Sequence, residues 1–190
     1  MSDFVKTTSI PGVLKLVRPT YPDERGFFRE IFHLDELEEV LGYKVGFVQM
    51  NHSLSKPQVI RALHAEGWNK LVYPVTGRMF AAVVDIREES EMFGKVETFE
   101  FDDGNRYALF VPKGVTNSIC VIGGEDVNYI YLVDAYYDGV DATAIAWDDP
   151  DLNINWPIKD PILSERDKNN PRLRDLFPEL MRRKEDIRTK

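Results

Sequence analysis

The feature that most constrains this chain is the cadence of short apolar segments and turn signals between residues 45 and 147. Val45–Asn51, Gln58–His64, Lys70–Val75, Arg78–Arg87, Val96–Phe101, Tyr107–Val111, Ser118–Ile122 and Asn128–Val133 are each rich in Val, Ile, Phe or Tyr. Such residues suit a pleated surface. Thr76-Gly77, Asp103-Gly104-Asn105, Pro112-Lys113-Gly114 and Gly123-Gly124 punctuate them. Many short strands at fairly even spacing predict an all-β antiparallel sandwich or barrel. Two peripheral helices are expected. One covers Asp35–Leu41, with Asp35 as N-cap and Glu38 three residues on; the other covers Leu173–Lys184. The charged stretch from Arg182 to Lys190 reads as a solvated, frayed tail. The 190 residues suffice for one domain, 1–190, and no repeat or linker is visible.

Charge and cysteine usage narrow the function. The formal charge is −8, which argues against a nucleic-acid partner, since such binding leans on basic surface. Cys120 is alone, within Ile119-Cys120-Val121-Ile122, so no internal disulfide forms. The first eight residues show no charged segment followed by an apolar one, and no stretch approaches the ~20 apolar residues of a membrane span. A soluble, cytoplasmic protein is expected, without a membrane partner.

Only three histidines are present: His33, His52 and His64. No two have the His-x-His spacing that a metal-dependent barrel uses, so no metal or other cofactor is expected. His64 closes the segment Val59-Ile60-Arg61-Ala62-Leu63-His64, with Lys70 opening the next. Two cations and a titratable base on one face would bind an anion and move a proton. Period-two alternation, however, places Arg61 and His64 on opposite faces. Both reach one pocket only if the strand bulges or ends there.

Asp23-Glu24-Arg25-Gly26-Phe27-Phe28-Arg29-Glu30, Phe47-Val48-Gln49-Met50-Asn51-His52-Ser53, Arg61-Ala62-Leu63-His64 and Asn69-Lys70-Leu71-Val72 follow one another in order. After them come Val83-Val84-Asp85-Ile86-Arg87, Phe93-Gly94-Lys95, Trp147-Asp148-Asp149-Pro150 and Ile162-Leu163-Ser164-Glu165-Arg166-Asp167. With these segments, from about Gly12 to Asp167, the chain resembles the dTDP-4-dehydrorhamnose 3,5-epimerases. The resemblance implies a cupin-like jelly-roll sandwich and cofactor-independent inversion at C3 and C5 of a nucleotide-linked 4-keto-6-deoxy sugar. His64 matches the family's general base, Asp167 its orienting carboxylate, Lys70 the cation beside the ketone, and Tyr131 the general acid. One base beside C3 and C5 could serve both, because both protons are α to the C4 ketone.

Arg25, Phe28, Glu30, Gln49, Asn51 and Arg61 match nucleotide-binding positions, and Tyr136 and Tyr137 are candidates to line the sugar site. The resemblance also implies a nucleotide-diphosphate sugar as substrate and a homodimer with exchanged N-terminal strands, Arg25–Glu30 reaching into the partner's site. Other roles stay open on the residues alone. Tyr131 could be core, Lys70 an edge lysine, and Ser164-Glu165-Arg166-Asp167 a capping box.

Departures are local. Where the family commonly reads Phe-Ala-His-Gly-Phe, this chain reads Val115-Thr116-Asn117-Ser118-Ile119, placing Asn117 where a histidine is usual. Arg-Gly-Leu-His-x-Gln becomes Arg61-Ala62-Leu63-His64-Ala65-Glu66, adding a negative charge where a diphosphate is expected nearby. The usual Leu-Tyr-Lys around the acid reads Ile130-Tyr131-Leu132. The departures leave room for epimerisation at C3 or C5 alone, for a GDP-linked or other nucleotide sugar, or for a binder without activity.

Overall fold

A computed structural model describes residues 3–138 and 143–188. In chain order, β1 (Val5–Thr7), β2 (Leu14–Leu16), β3 (Thr20–Asp23) and β4 (Gly26–Arg29) precede α1 (Leu34–Leu41). Next come β5 (Gln49–Ser55), β6 (Ile60–Ala65), β7 (Lys70–Pro74), β8 (Met79–Val84), β9 (Val96–Phe101), β10 (Ala108–Val111), β11 (Asn117–Val121), β12 (Val127–Val133) and β13 (Thr143–Ala144). The short helices α2 (Glu165–Lys168), α3 (Leu173–Leu176) and α4 (Pro178–Arg188) follow.

Two antiparallel sheets stack as a cupin-like jelly-roll sandwich. One has six strands in the order β1-β2-β10-β7-β12-β5; the other has five, β13-β6-β11-β8-β9. Strands β3 and β4 form a separate hairpin. Neighbours in each sheet are mostly distant in sequence, so the walls of the lumen are assembled from far-apart segments.

Three apolar clusters fix the layers. Val72, Leu109, Val111, Val127 and Tyr129 of the six-stranded sheet meet Met79, Ala81, Val83, Ile119 and Val121 of the other. The outer face of the five-stranded sheet, with Phe80, Ala82, Val84 and Cys120, is covered by Ile145, Leu152, Leu173 and Phe177. Leu37 of α1 and Val45 cover the outer face of the six-stranded sheet at Leu71 and Phe110. Strands buried on both faces read as continuous apolar runs, which is why Met79–Val84 lacks polar alternation. Each fully buried Leu, Ile or Phe contributes about 1.5–3 kcal/mol relative to exposure. Cys120 is part of this packing, and burial pushes its thiol up to about 12, so it is an unreactive filler.

The turns bear out two of the expected breaks. Gly77 has φ +76°, and a Cβ there would lie 2.6 Å from the Asp126 carbonyl oxygen. Gly114 has φ +79°, with a Cβ falling 2.5 Å from Arg87 Cγ. Only glycine fits such positions without strain.

Several expectations need correction. The N-cap of α1 is His33, not Asp35. Asp35 sits in the first turn, where its charge suits the helix dipole. Glu38 does not close a capping box; it accepts from Lys44 Nζ at 2.6 Å and from the Val45 amide at 2.9 Å, tying down the following loop. The C-terminal helix is broken at Phe177, and α4 restarts at Pro178, a residue at home in a first turn. Helix α4 runs to Arg188, through much of the stretch expected to fray; Thr189 and Lys190 lie outside the described residues. The strand expected at Val45–Asn51 instead spans Gln49–Ser55.

Candidate active site

The conflict between Arg61 and His64 is resolved by a bulge. Across β11, Asn117 pairs with His64 and Ile119 with Arg61, so three steps on β6 oppose two on β11. Ile60, Ala62, Leu63 and Ala65 all join the outer cluster. With Ala62 and Leu63 both turned outward, Arg61 and His64 both face the lumen.

His64 Nε2 lies 2.6 Å from Asp167 Oδ1. The carboxylate is buried and accepts only, so Nε2 donates and the lone pair is left on Nδ1. Asp167 is held from several sides. Its amide donates to Ser164 Oγ at 3.1 Å, capping α2, and Asn170 Nδ2 approaches Oδ1 at 3.4 Å. Capping and pairing therefore coexist: the backbone of Asp167 serves the helix start while its side chain serves His64. Burial alone would raise the Asp167 carboxyl, but His64, Ser164 and Asn170 hold it below the ordinary carboxylate range.

Facing this dyad are residues of β7 and β12. Lys70 and Val72 share the lumen face of β7; Tyr129, Tyr131 and Val133 share that of β12. Lys70 is 5% exposed, so it is not an edge lysine with its head in water. Its Nζ donates to Glu66 Oε1 at 2.6 Å and lies 4.8 Å from the centroid of the Tyr131 ring. The Glu66 carboxylate expected to face a diphosphate is thus engaged by Lys70. Tyr131 is half-buried; burial first, then the charge of Glu66, raises its phenol, against a smaller opposing effect of Arg61. Asn117 is buried, and its Oδ1 accepts from Tyr129 OH at 3.3 Å, a bond that spans the two sheets.

The candidate binding residues divide in two. Asn51 pairs with Tyr131 and Gln49 with Val133, so both amides stand on the lumen face of β5 beside the phenol. They bond each other, Gln49 Nε2 to Asn51 Oδ1, at 2.7 Å. Arg61 donates to Ser55 Oγ at 2.9 Å and to the Leu54 carbonyl at 3.3 Å, which swings its guanidinium to the open end of β5. By contrast, Arg25, Phe28 and Glu30 are not brought to this lumen within one chain. They ride on or beside the β3–β4 hairpin, where Arg25 pairs with Asp23 and Glu30 with Arg18. Phe28 is 65% exposed and Phe27 66%. Tyr137 is also exposed and packs edge-on against Trp68, ring centroids 6.5 Å apart.

A cleft of about 830 Å³ adjoins the site, lined by Glu66, Trp68, Arg87, Lys113 and Tyr136 among others. His64, Tyr131 and Lys70 line the lumen rather than this cleft. Sequence reasoning missed Ser55, Tyr129, Ser164 and Asn170 as supports of the site. The serine of Ser164-x-x-Asp167 was visible as a cap, but its service to His64 depends on a contact 103 residues distant. Among the described residues, no group of three or more His, Cys, Asp or Glu side chains is placed to hold a metal ion. No described helix is long and apolar enough to cross a membrane.

Comparison with known proteins finds relatives along most of the chain. The family model described as dTDP-4-dehydrorhamnose 3,5-epimerase matches residues 7–175. A dTDP-4-dehydrorhamnose 3,5-epimerase of Shigella flexneri is 38% identical over 172 residues, 88% of this chain and 94% of that protein. A dTDP-4-dehydrorhamnose 3-epimerase of Streptomyces niveus is 32% identical over 169 residues, covering 87% of this chain and 81% of that one. Among solved structures, the dTDP-6-deoxy-D-glucose-3,5-epimerase of Legionella pneumophila in complex with dTDP-4-keto-L-rhamnose superposes with a TM-score of 0.84. The two chains are 32% identical, with 93% of this chain and 95% of that chain covered.

Proposed function

This chain belongs to the dTDP-4-dehydrorhamnose 3,5-epimerase family, and from that premise we propose that it inverts carbons beside the ketone of a dTDP-linked 4-keto-6-deoxy sugar. The observation that carries the reading is the His64–Asp167 dyad opening on the same lumen as Tyr131 and Lys70.

In this reading Nδ1 of His64 takes a proton from the carbon α to the C4 ketone. The C–H electron pair forms a double bond to C4 as the C4=O π pair moves onto oxygen, leaving an enolate. Asp167 steadies the imidazolium that forms, as a buried carboxylate does for other catalytic histidines. The Lys70 ammonium faces the enolate oxygen; fixed donors of this kind are worth about 3–4 kcal/mol to a developing anion. Tyr131 then gives its phenolic proton to the same carbon from the opposite face, the ketone re-forms, and the configuration is inverted. The phenolate regains a proton from solvent and His64 releases one before the next cycle. Gln49, Asn51 and Arg61 hold the nucleotide end, Arg61 by charge-assisted bonds to the diphosphate.

A homodimer belongs to the same proposal. Arg25, Phe28 and Glu30 complete a site only if the β3–β4 hairpin enters a partner's, and the 65% exposure of Phe28 supports such a docking role. Cytoplasmic placement, where nucleotide sugars are assembled, follows from the same reading.

One observation favours a narrower variant. Asn117 stands opposite His64 across the sheet, where the related pattern has a second histidine, and the relative from Streptomyces niveus is named a 3-epimerase. Incubation with dTDP-4-keto-6-deoxyglucose in deuterated water separates the cases. Label at C3 and C5 supports the double epimerase, and label at C3 alone the narrower one. No label at either carbon, with dTDP bound normally, would overturn the proposal.

A further inference from the structure

The epimerase reading leaves the half-buried Glu66 without a task. Glu66 carries a carboxylate that is 18% exposed, and it holds Lys70, whose side chain is 6% exposed, at 2.6 Å. Lys70 in turn lies 4.8 Å from the Tyr131 ring centroid. These three groups make a contiguous line from the mouth of the adjoining cleft to the phenol. An amide at position 66, as in the pattern this chain resembles, could accept the Lys70 hydrogen bond but would bring no charge.

We propose that Glu66 is a positioning residue that keeps Lys70 an ammonium and Tyr131 a protonated phenol, the states in which each is useful to the epimerisation proposed above. The physics is additive in sign. Burial is the larger effect and lowers Lys70 on balance, and the carboxylate in contact offsets part of that fall. Negative charge nearby also makes a phenolate harder to form at Tyr131, where burial already disfavours it. One carboxylate therefore retains the proton on both groups.

On the cleft side Glu66 shares its walls with Arg87, Glu88, Glu89, Lys113 and Asp138, charges of both signs; on the lumen side the charged or titratable groups are fewer. Arg61 and His64, with its partner Asp167, come from β6 and its neighbour α2, and Tyr129 comes from β12. Strand β5 contributes Gln49 and Asn51, and β11 contributes Asn117, none of which titrates. Arg61 opposes Glu66 at Tyr131, but it is anchored on Ser55 and Leu54, whereas Glu66 contacts Lys70 directly.

The test is the pH profile of kcat for the unmodified protein, Glu66→Gln and Glu66→Asp, with dTDP-4-keto-6-deoxyglucose as substrate. Glu66→Gln is expected to move the alkaline limb downward by about one pH unit, as loss of one adjacent charge does. At a pH on that limb kcat falls about tenfold, while KM stays within about threefold. Glu66→Asp keeps the charge and should shift the limb less than Glu66→Gln does. Binding of dTDP by each variant confirms the fold; if Glu66→Gln fails that check, Glu66→Asp carries the readout, expected to shift the limb part of the way. An alkaline limb superimposed on that of the unmodified protein, or moved upward, overturns the role. So does a rise in KM with an unmoved limb, which would make Glu66 a simple sugar contact. An unmodified protein that turns over none of the substrate instead defeats the epimerase reading on which this inference rests.

Discussion

Asp167→Asn isolates what the charge behind His64 does. Nearly every geometric support survives the change. The residue 167 amide still caps α2 through Ser164 Oγ, and an amide oxygen can still accept from Nε2. What disappears is a negative charge 2.6 Å from the ring nitrogen. Taking about 4 Å between charge centres and an effective dielectric of about 20, the imidazolium loses about 4 kcal/mol of attraction. Solvent reaching the 22% exposed His64 side chain recovers part of that, leaving about 2–4 kcal/mol, or a 30- to 1,000-fold fall in kcat. KM should stay within about threefold, because Asp167 is buried behind His64. Proton exchange at C3 and C5, followed by NMR in deuterated water, should slow by the same factor if one base serves both carbons. Circular dichroism melting should show at most about 1.5 kcal/mol of lost stability. Turnover within threefold of the unmodified protein would refute the reasoning, and so would slowing at one carbon only.

Tyr131→Phe should retain exchange at the carbon while lowering inversion by about 100-fold, a typical share for a general acid. Comparison of label uptake with product configuration measures both at once, and equal losses would place Tyr131 outside the reprotonation step. Stability should depend on acid through Asp85 and Asp167. Asp85 is fully buried, and Arg87 and Ser90 overcome the effect of burial to hold its carboxyl below the ordinary 3.8, as His64 does for Asp167. A depressed carboxyl stabilises the folded chain above its unfolded value and ceases to do so as pH falls through the folded one. Urea midpoints should therefore drop mainly below about pH 4. Asp85→Asn should flatten part of that drop and cost about 3 kcal/mol at neutral pH, by leaving Arg87 without its carboxylate.

What the residues alone disclosed follows from how local each signal is. Val96–Phe101 is bounded by turn residues and emerged with its predicted limits. Strands β3 and β4 went unseen because all four residues of β3 are exposed and one is Pro22, so no apolar pattern marks them. Strand β13 has two residues and gives no periodic signal. Within the site, the need for a bulge near His64 was deducible from alternation, but not its place, which depends on pairing with β11. Glu66 stood out as a charge, but its contact with Lys70 was not legible, since it requires the loop joining β6 to β7 to fold back. The partnership of His64 with Asp167 spans 103 residues, and no spacing rule reaches that far.

In the proposed reaction one imidazole, that of His64, removes the proton at every carbon that is inverted. The most direct measurement is deuterium uptake into dTDP-4-keto-6-deoxyglucose by His64→Ala, alongside the unmodified protein, with dTDP affinity measured for both. His64→Ala should keep its dTDP affinity and lose uptake at every carbon that the unmodified protein labels. Uptake persisting at any of them would contradict that role of His64.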